Sequence, residues 1–355
     1  MPETALERFS NRVGFAVRQT GRVAWYASHG AIMRRMVRRL EQESGAPKRV
    51  VKKPSRPVPS TRRLLADVAV LLGRDLANAE AGYYPVPGGE DGGLPGILAR
   101  SRAFFRDVPE VVRRRQHSIA HEVAEAEAGK RPDYYMQNFH FQSGGWMTEE
   151  SARLYDMQVE VLFSGAANAM RRQALVPIAE ALRGRDQRSV IFADIACGPG
   201  TFLRQVRQAF PRLPSVAVDL SEAYVAEAKR RLGTRPNVST VVAKAEALPL
   251  ADQSLDIATC IFLFHELPSG VRRAVAREIA RVVKPGGLLV FVESLQIGDE
   301  PDYDGLLELF PRLFHEPYFE SYLDEDLDRL FAEAGFKVEG RTNAFFSKVL
   351  TLRKR

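Results

Sequence analysis

Cysteine is scarce: Cys197 and Cys260 are the only two in 355 residues. So few thiols exclude a disulfide-stapled scaffold and a cysteine-built metal centre, and they fit a reducing compartment. No metal is expected. Long apolar runs are also missing. None approaches the ~20 residues that a bilayer-spanning helix needs, and no short apolar stretch with a small-residue cleavage site follows the start. Internal repeats are absent. These absences predict a cytoplasmic chain, soluble or peripheral to a membrane. The first forty residues, rich in arginine and poor in acid, would also suit a mitochondrial transit segment if the source is eukaryotic.

Acidic residues run short at one end only. Residues 1–64 hold fifteen Lys/Arg against four Asp/Glu, a balance of +11, while the whole chain carries +7, so the remainder is net negative by 4. Within the basic segment Phe9, Val13 and Val17, and later Met33, Met36, Val37 and Leu40, recur at helical spacing, with Arg34, Arg35, Arg38 and Arg39 on the other side. Three readings of this basic amphipathic helix stay open: a helix lying on an anionic membrane surface, one packed on its own protein, or one holding nucleic acid or another polyanion. Gly45 through Ser60, with Pro47, Pro54, Pro57 and Pro59, reads as a flexible linker.

With 45% hydrophobic and 27% charged residues the chain is globular and long enough for about two domains. The pattern divides it into a basic segment with its linker (1–60), a mostly helical accessory or substrate-cap domain (61–175) and an α/β domain (176–355). In the accessory part Leu64, Leu65, Val68, Leu71 and Leu72 form a helical stripe, Gly88 to Gly96 is a predicted loop, and helix resumes from Phe104 to His121. Gly88–Gly93 is no phosphate cradle, since it holds Glu90 and Asp91, lacks a lysine and follows no strand. Residues 134–146 interleave Tyr134, Tyr135, Phe139, His140, Phe141 and Trp146 with amide side chains and end near a glycine pair. A lid over a ligand and ordinary interdomain packing both fit that pattern.

The most informative stretch is Asp194-Ile195-Ala196-Cys197-Gly198-Pro199-Gly200, entered from Val190–Ala193 and followed by Thr201-Phe202-Leu203. It reads as strand, tight turn, helix, with Gly198 and Gly200 admitting dihedrals that a Cβ disfavours. A second apolar strand, Ser215–Val218, ends in Asp219, which lies 19 residues past Gly200 and so suits a ribose. Next come Val238–Val242, Ala245-Glu246-Ala247-Leu248-Pro249, a strand from Asp256 into His265-Glu266, a helix Ser269–Val283, the turn Lys284–Gly287 and the strand Leu288–Val292. Strands near Phe336 and Lys348 would complete the sheet. The apolar strands lack clean alternation, as parallel strands covered on both faces do, and ligands then bind at the strands' C-terminal ends.

In this order of parts, residues 175–355 resemble the class I S-adenosylmethionine-dependent methyltransferases, in particular the small-molecule branch that includes the quinone-biosynthesis C-methyltransferases. The resemblance implies a Rossmann-like, seven-stranded α/β methyltransferase sheet that binds S-adenosyl-L-methionine. Asp194, Ala196, Gly198 and Gly200 would hold the methionine moiety, Asp219 the ribose, and Leu220, Ala245 and Glu246 the adenine, with Phe262 below the cofactor. Lys244 stands where relatives often carry an acid, which leaves the adenine amino group to Glu246, to backbone or to nothing. His265 is the first candidate base, with Glu266 to orient it, and His140 and His315 follow. Tyr134, Tyr135, Phe139, Trp146, Phe314 and Tyr318 would line an acceptor pocket whose aromatic walls favour a lipophilic or aromatic small molecule, a quinone, isoprenoid or acyl lipid, methylated on O or C. The runner-up readings are an RNA methyltransferase, for which an Asn/Asp-Pro-Pro-Tyr motif is missing, and a non-catalytic S-adenosylmethionine-binding protein. The expected partner is the small-molecule acceptor, with a membrane surface left open as a second through the basic N-terminus; nucleic acid is not expected.

Overall fold

The computed structural model describes residues 5–45, 53–122 and 131–355; residues 46–52 of the expected linker lie outside them. Seven strands form one sheet: β1 (Phe192–Ile195), β2 (Ser215–Asp219), β3 (Val238–Val242), β4 (Leu255–Ile261), β5 (Val283–Ser294), β6 (Phe336–Ala344) and β7 (Ser347–Lys354). Their order is β3-β2-β1-β4-β5-β7-β6, with β1 to β5 parallel and β7 antiparallel to both its neighbours. From β1 successive strands are added on one side as β2 and β3 and on the other as β4 and β5, so the strand order switches between β1 and β4. That crevice at the C-terminal strand ends is where a ligand is expected in an open α/β sheet.

Helices α7 (Thr201–Ala209), α8 (Glu222–Leu232) and α9 (Ser269–Val282) join the parallel strands. Ser221 caps α8 by accepting from Tyr224 N–H at 3.3 Å, and Gly233 ends it with φ +68°, as the sequence pattern predicts. Beyond β5 three helices follow. Helix α10 (Asp304–Leu313) precedes α11 (Phe319–Leu323) and α12 (Leu327–Glu333), and Asp326 caps the last by accepting from Arg329 N–H at 3.0 Å. Lys284–Gly287 is absorbed into β5, where the β4–β5 register shifts between Leu255 and Ile257.

The helical layer comprises α1 (Ala5–Glu43), α2 (Thr61–Glu80), α3 (Leu94–His117), α4 (Glu149–Leu162), α5 (Ala167–Arg172) and α6 (Leu175–Leu182). Helix α3 begins inside the predicted loop, with Pro95 in its first turn, where a missing N–H is harmless. Met33, Met36, Val37 and Leu40 of α1 pack onto Tyr26, Phe104, Val108 and Met157. Phe9, Val13 and Val17 instead stay exposed, at 65%, 46% and 67%. The predicted stripe therefore splits, because the buried face of the first half runs through Phe15, Gln19 and Arg22. Among the described residues no helix is long and apolar enough to cross a membrane. The second half of the expected linker is tied down: Ser55 N–H donates to Glu308 Oε2 at 2.7 Å and Arg56 pairs with Asp304.

Two buried arginines fasten these helices together. Arg172 Nη2 lies 2.6 Å from Asp75 of α2 and pairs with Glu90. Arg22 lies 2.7 Å from both Asp91 and Glu160 of α4. Glu160 also accepts from the backbone N–H groups of Ala167 and Asn168 at the start of α5. The Gly88–Gly93 loop thus serves as a carboxylate donor to the helical layer. Removing one member of such a network strands its partners without compensation. Arg172→Met is expected to lower the unfolding free energy by about 3–5 kcal/mol, read from the urea midpoint; an unchanged midpoint would show that the pair contributes nothing net.

Candidate functional site

The loop after β1 bends through left-handed backbone at Ala196 (φ +59°), Gly198 (φ +56°) and Gly200 (φ +78°). A non-glycine residue there costs about 1–2 kcal/mol, so Ala196 holds a strained conformation. Gly198 faces open space, whereas a Cβ on Gly200 would come within 3.0 Å of Ala228 Cβ in α8. Gly200 was expected to touch ligand; it permits helix packing instead and does not border the cavity.

A cavity of about 790 Å³, open mouth included, lies over this loop. Ala196, Gly198, Asp219, Leu220, Ala245, Glu246 and Phe262 border it, all expected from the sequence. Asp219 accepts from Gly198 N–H and Ser221 N–H, each at 2.8 Å, so its orientation is fixed by backbone. Asp194 lies outside this wall. Its Oδ1 accepts from Thr259 Oγ1 at 2.7 Å, while Oδ2 is buried without a hydrogen-bond partner. Burial raises the Asp194 carboxyl to about 7, with Asp219 adding to the rise and Thr259 and Arg171 opposing it. Lys244 is exposed and stays off the wall, while Glu246 Oε1 accepts from Tyr134 OH at 2.7 Å.

The aromatic segment closes this cavity from above. Tyr134, Tyr135, Phe139 and Trp146 border it, and Arg131 Nη1 donates to Leu220 O at 3.0 Å. Tyr155 of α4 and Tyr224 of α8 complete the aromatic wall. Neither was singled out from the sequence, where each reads as one more apolar helix position.

A second cavity of about 1170 Å³ adjoins the first, and Tyr155, Phe262 and Glu266 border both. Its other walls include His140, His265, Phe310, Phe314, Phe319 and Leu307. His265 sits in a single 3₁₀ turn, Phe264–Glu266, just past β4. Arg272 of α9 anchors that turn by donating to Phe264 O at 2.9 Å, and it also donates to Tyr318 O and Ser321 O. The residue that orients His265 is not Glu266, as expected, whose Oε1 lies 3.9 Å from Nε2. It is Glu293 at the end of β5, whose Oε2 lies 2.7 Å from Nδ1. Glu293 also accepts from the backbone N–H groups of Phe264 and Ser294. Sequence reasoning missed it, although a lone acid closing the apolar run Leu288–Val292 was the available signal.

Burial alone would lower the His265 pKa, but the charge and hydrogen bond of Glu293, with help from Glu266 and Glu316, raise it to about 9. Burial pushes the Glu266 carboxyl well up, and Glu316 and Glu293 add to this against His265. Near neutral pH His265 therefore keeps its proton. His140 Nε2 lies 2.8 Å from buried Glu316. Two other expected residues are held away from both cavities. His315 Nε2 hydrogen-bonds Gln137 Oε1 at 2.7 Å, and Tyr318 OH accepts from Gln137 Nε2 at 3.0 Å.

Residues 192–287 match the methyltransferase domain family. Among curated proteins, the ubiquinone/menaquinone biosynthesis C-methyltransferase UbiE of Methylobacterium nodulans is 32% identical over 45% of this chain and 62% of its own length. The demethylmenaquinone methyltransferase of Renibacterium salmoninarum is 33% identical over 48% of this chain and 63% of its own. The chain thus spans about three fifths of these two relatives. Among solved structures, a SAM-dependent methyltransferase of Aquifex aeolicus is 20% identical, with a TM-score of 0.38 over 52% of this chain and 93% of that one. The glycine loop, the ribose-type acid and the strand order accompany the matched residues, so residues 192–287 of this chain are similar to methyltransferase domains.

Proposed function

We propose that this protein transfers a methyl group from S-adenosylmethionine to an oxygen or carbon of a lipophilic, uncharged or cationic small molecule. The observation that carries this reading is the pair of adjoining cavities, one floored by the glycine loop and Asp219, the other apolar and walled by His265 and Glu266. The residues of the first fit the cofactor. Buried Asp194 Oδ2 lacks a partner, as a carboxylate awaiting an ammonium group does, and the space above Gly198 is open. Asp219 would hold the ribose, and Leu220, Ala245 and Glu246 the adenine.

S-adenosylmethionine, when bound, supplies an electrophilic methyl group for in-line displacement. The chain's own task is to align the acceptor, exclude water and manage a proton. Phe262, Phe310, Phe314 and Phe319 bound an apolar chamber for the acceptor's body. The acids around it, half-buried Glu266 and buried Glu293 and Glu316, disfavour a phosphate or carboxylate head. Protonated His265 can donate to an acceptor oxygen and, once neutral, can remove its proton.

The outer face of α1 supplies a second element of the reading. Exposed Leu6, Phe9, Val13 and Val17 lead into exposed Arg34, Arg35 and Arg38 on the same side of the helix. We propose that this face rests on an anionic membrane, apolar side chains in the interface and arginines among the headgroups.

Three outcomes are expected. With methyl-labelled S-adenosylmethionine and a lysate of the source organism, label appears in the organic-soluble fraction; label in RNA would overturn the reading, and bound cofactor without any label would make this a binding protein. With an acceptor in hand, the rate rises with pH towards a plateau, with an apparent pKa no higher than about 9. Glu293→Gln moves that midpoint down towards the ordinary histidine value and slows turnover, while His265→Asn costs about 10²–10⁴-fold; a flat pH profile would remove His265 as the base. Finally, the protein co-sediments with phosphatidylserine-containing vesicles and less with pure phosphatidylcholine ones, and Phe9→Ser with Val13→Ser weakens that binding. Equal sedimentation of wild type and double variant would remove the membrane face.

A further inference from the structure

A third cavity, about 1660 Å³ with its open side, lies between α1, α3 and α4. Its walls are mainly apolar, with Met33, Val37, Phe104, Val108, Val112 and Val161 among them. None of these helices falls within residues 192–287, which match the methyltransferase family. His140, Tyr155, Val159, Leu162, Leu313 and Phe314 border both this cavity and the chamber beside His265. Tyr155 borders the cofactor cavity as well. The three spaces therefore meet around one tyrosine, and an apolar route leads from the His265 chamber into the helical layer.

Native interiors pack to crystal-like density, and the destabilisation from an empty apolar void grows with its volume. This space is open on one side, so an apolar chain that enters it takes hydrocarbon wall out of water. Polarity along the route is graded. At its inner end stand His265 and Glu266, its walls are hydrocarbon and aromatic, and exposed Arg34 and Arg38 mark its open side. Asp107, which also borders the space, is already occupied as an acceptor from Ser143 and from Gln158 at 3.4 Å. At the junction, His140 (φ +55°) and Phe141 (φ +56°) are consecutive non-glycine residues in left-handed backbone. Such strain persists only where surrounding contacts enforce it. Here His140 N–H donates to His315 O at 3.1 Å, and buried Asn138 Nδ2 donates to Gln142 O at 2.9 Å.

We infer that the methyl acceptor is an amphiphile with a long hydrocarbon chain, its polar head beside His265 and its chain threaded past Tyr155 and Phe314 into the α1–α3–α4 channel. The inference rests on the methyl-transfer reading for the identity of the head and on the cavities for the chain. Arg34 and Arg38 at the mouth belong to the α1 face proposed to meet anionic lipid, so a chain can pass from a bilayer into the channel without crossing water.

The test reads chain binding without any turnover. Trp25 and Trp146 are the only tryptophans, and Trp146 borders the channel. In a Trp25→Phe protein, quenching of Trp146 by bromododecanol is measured, then competed with straight-chain alcohols from hexanol to dodecanol. Affinity is expected to rise about fourfold per added methylene. Filling the channel with Val37→Trp would change the tryptophan count, so Val37→Phe and Val112→Phe are used, each checked for a native circular dichroism spectrum. Either folded variant is expected to weaken dodecanol binding at least tenfold while hexanol binding changes little. Chain-length independence, or unchanged dodecanol binding in both folded variants, would overturn the channel. If those failures occur while labelled methyl transfer persists, the channel falls and the methyltransferase reading stands. Chain-dependent binding without any labelled product would support the channel and overturn methyl transfer instead.

Discussion

Arg22 and Arg172 are the cations around which the helical layer is assembled. Both are almost fully buried, and each is paired with carboxylates from other segments: Asp75 and Glu90 for Arg172, Asp91 and Glu160 for Arg22. A buried ion pair adds little net stability against a hydrophobic alternative, but a misplaced one leaves uncompensated charge. The network therefore acts through geometry, since α1, α2, α4 and α5 satisfy these charges together in one arrangement. That arrangement places Tyr155 and Phe262 on the walls of the same two cavities and sets α1 against α3 and α4, so all three cavities draw walls from it.

Under this layer, the sheet supplies chemistry from strand ends. Asp219 ends β2 and Glu293 lies near the end of β5, and each is held by two backbone N–H groups. Backbone donors of this kind do not titrate, so these carboxylates are fixed in place by the fold itself. Arg272 carries the same logic into the histidine turn. Completely buried, it joins Phe264 to the α11 segment through carbonyl oxygens. His265 is thus positioned from two sides, by Glu293 at its ring and by Arg272 through its backbone.

Four of the eight non-glycine residues with positive φ among the described residues lie at these cavities. Ala196, His140, Phe141 and Phe262 all take positive φ without being glycine, and all four border one or more cavities. Each such residue costs on the order of 1–2 kcal/mol. The apolar sheet core beneath them, including Ile257, Leu289, Val290 and Phe291 with no measurable exposure, is the reserve that lets the fold hold these conformations.

Much of the sheet domain was legible in the sequence, because its signals are local. A strand feeding a glycine turn, an acid at the end of the next strand and the helical stripes between them depend on residues a few positions apart, and they pointed to Gly198 and Asp219; the family resemblance added Ala196, Leu220, Ala245, Glu246 and Phe262, and all seven border one cavity. Other assignments depended on which distant side chains meet, and periodicity carries no such information. It could not tell that Glu293 rather than Glu266 faces the His265 ring, that Gly200 makes room for Ala228, or that Gln137 holds His315 and Tyr318 away from the cavities. The stripe on α1 was equally ambiguous, since a helix pattern reports which residues share a face but not what covers it. The sequence by itself determined the parallel sheet and the cofactor-binding loop, through hydrophobic period and backbone freedom. Only the tertiary structure decided the cavity beside His265 and the space between α1, α3 and α4, because their walls come from helices far apart in the chain and are brought together by buried charge.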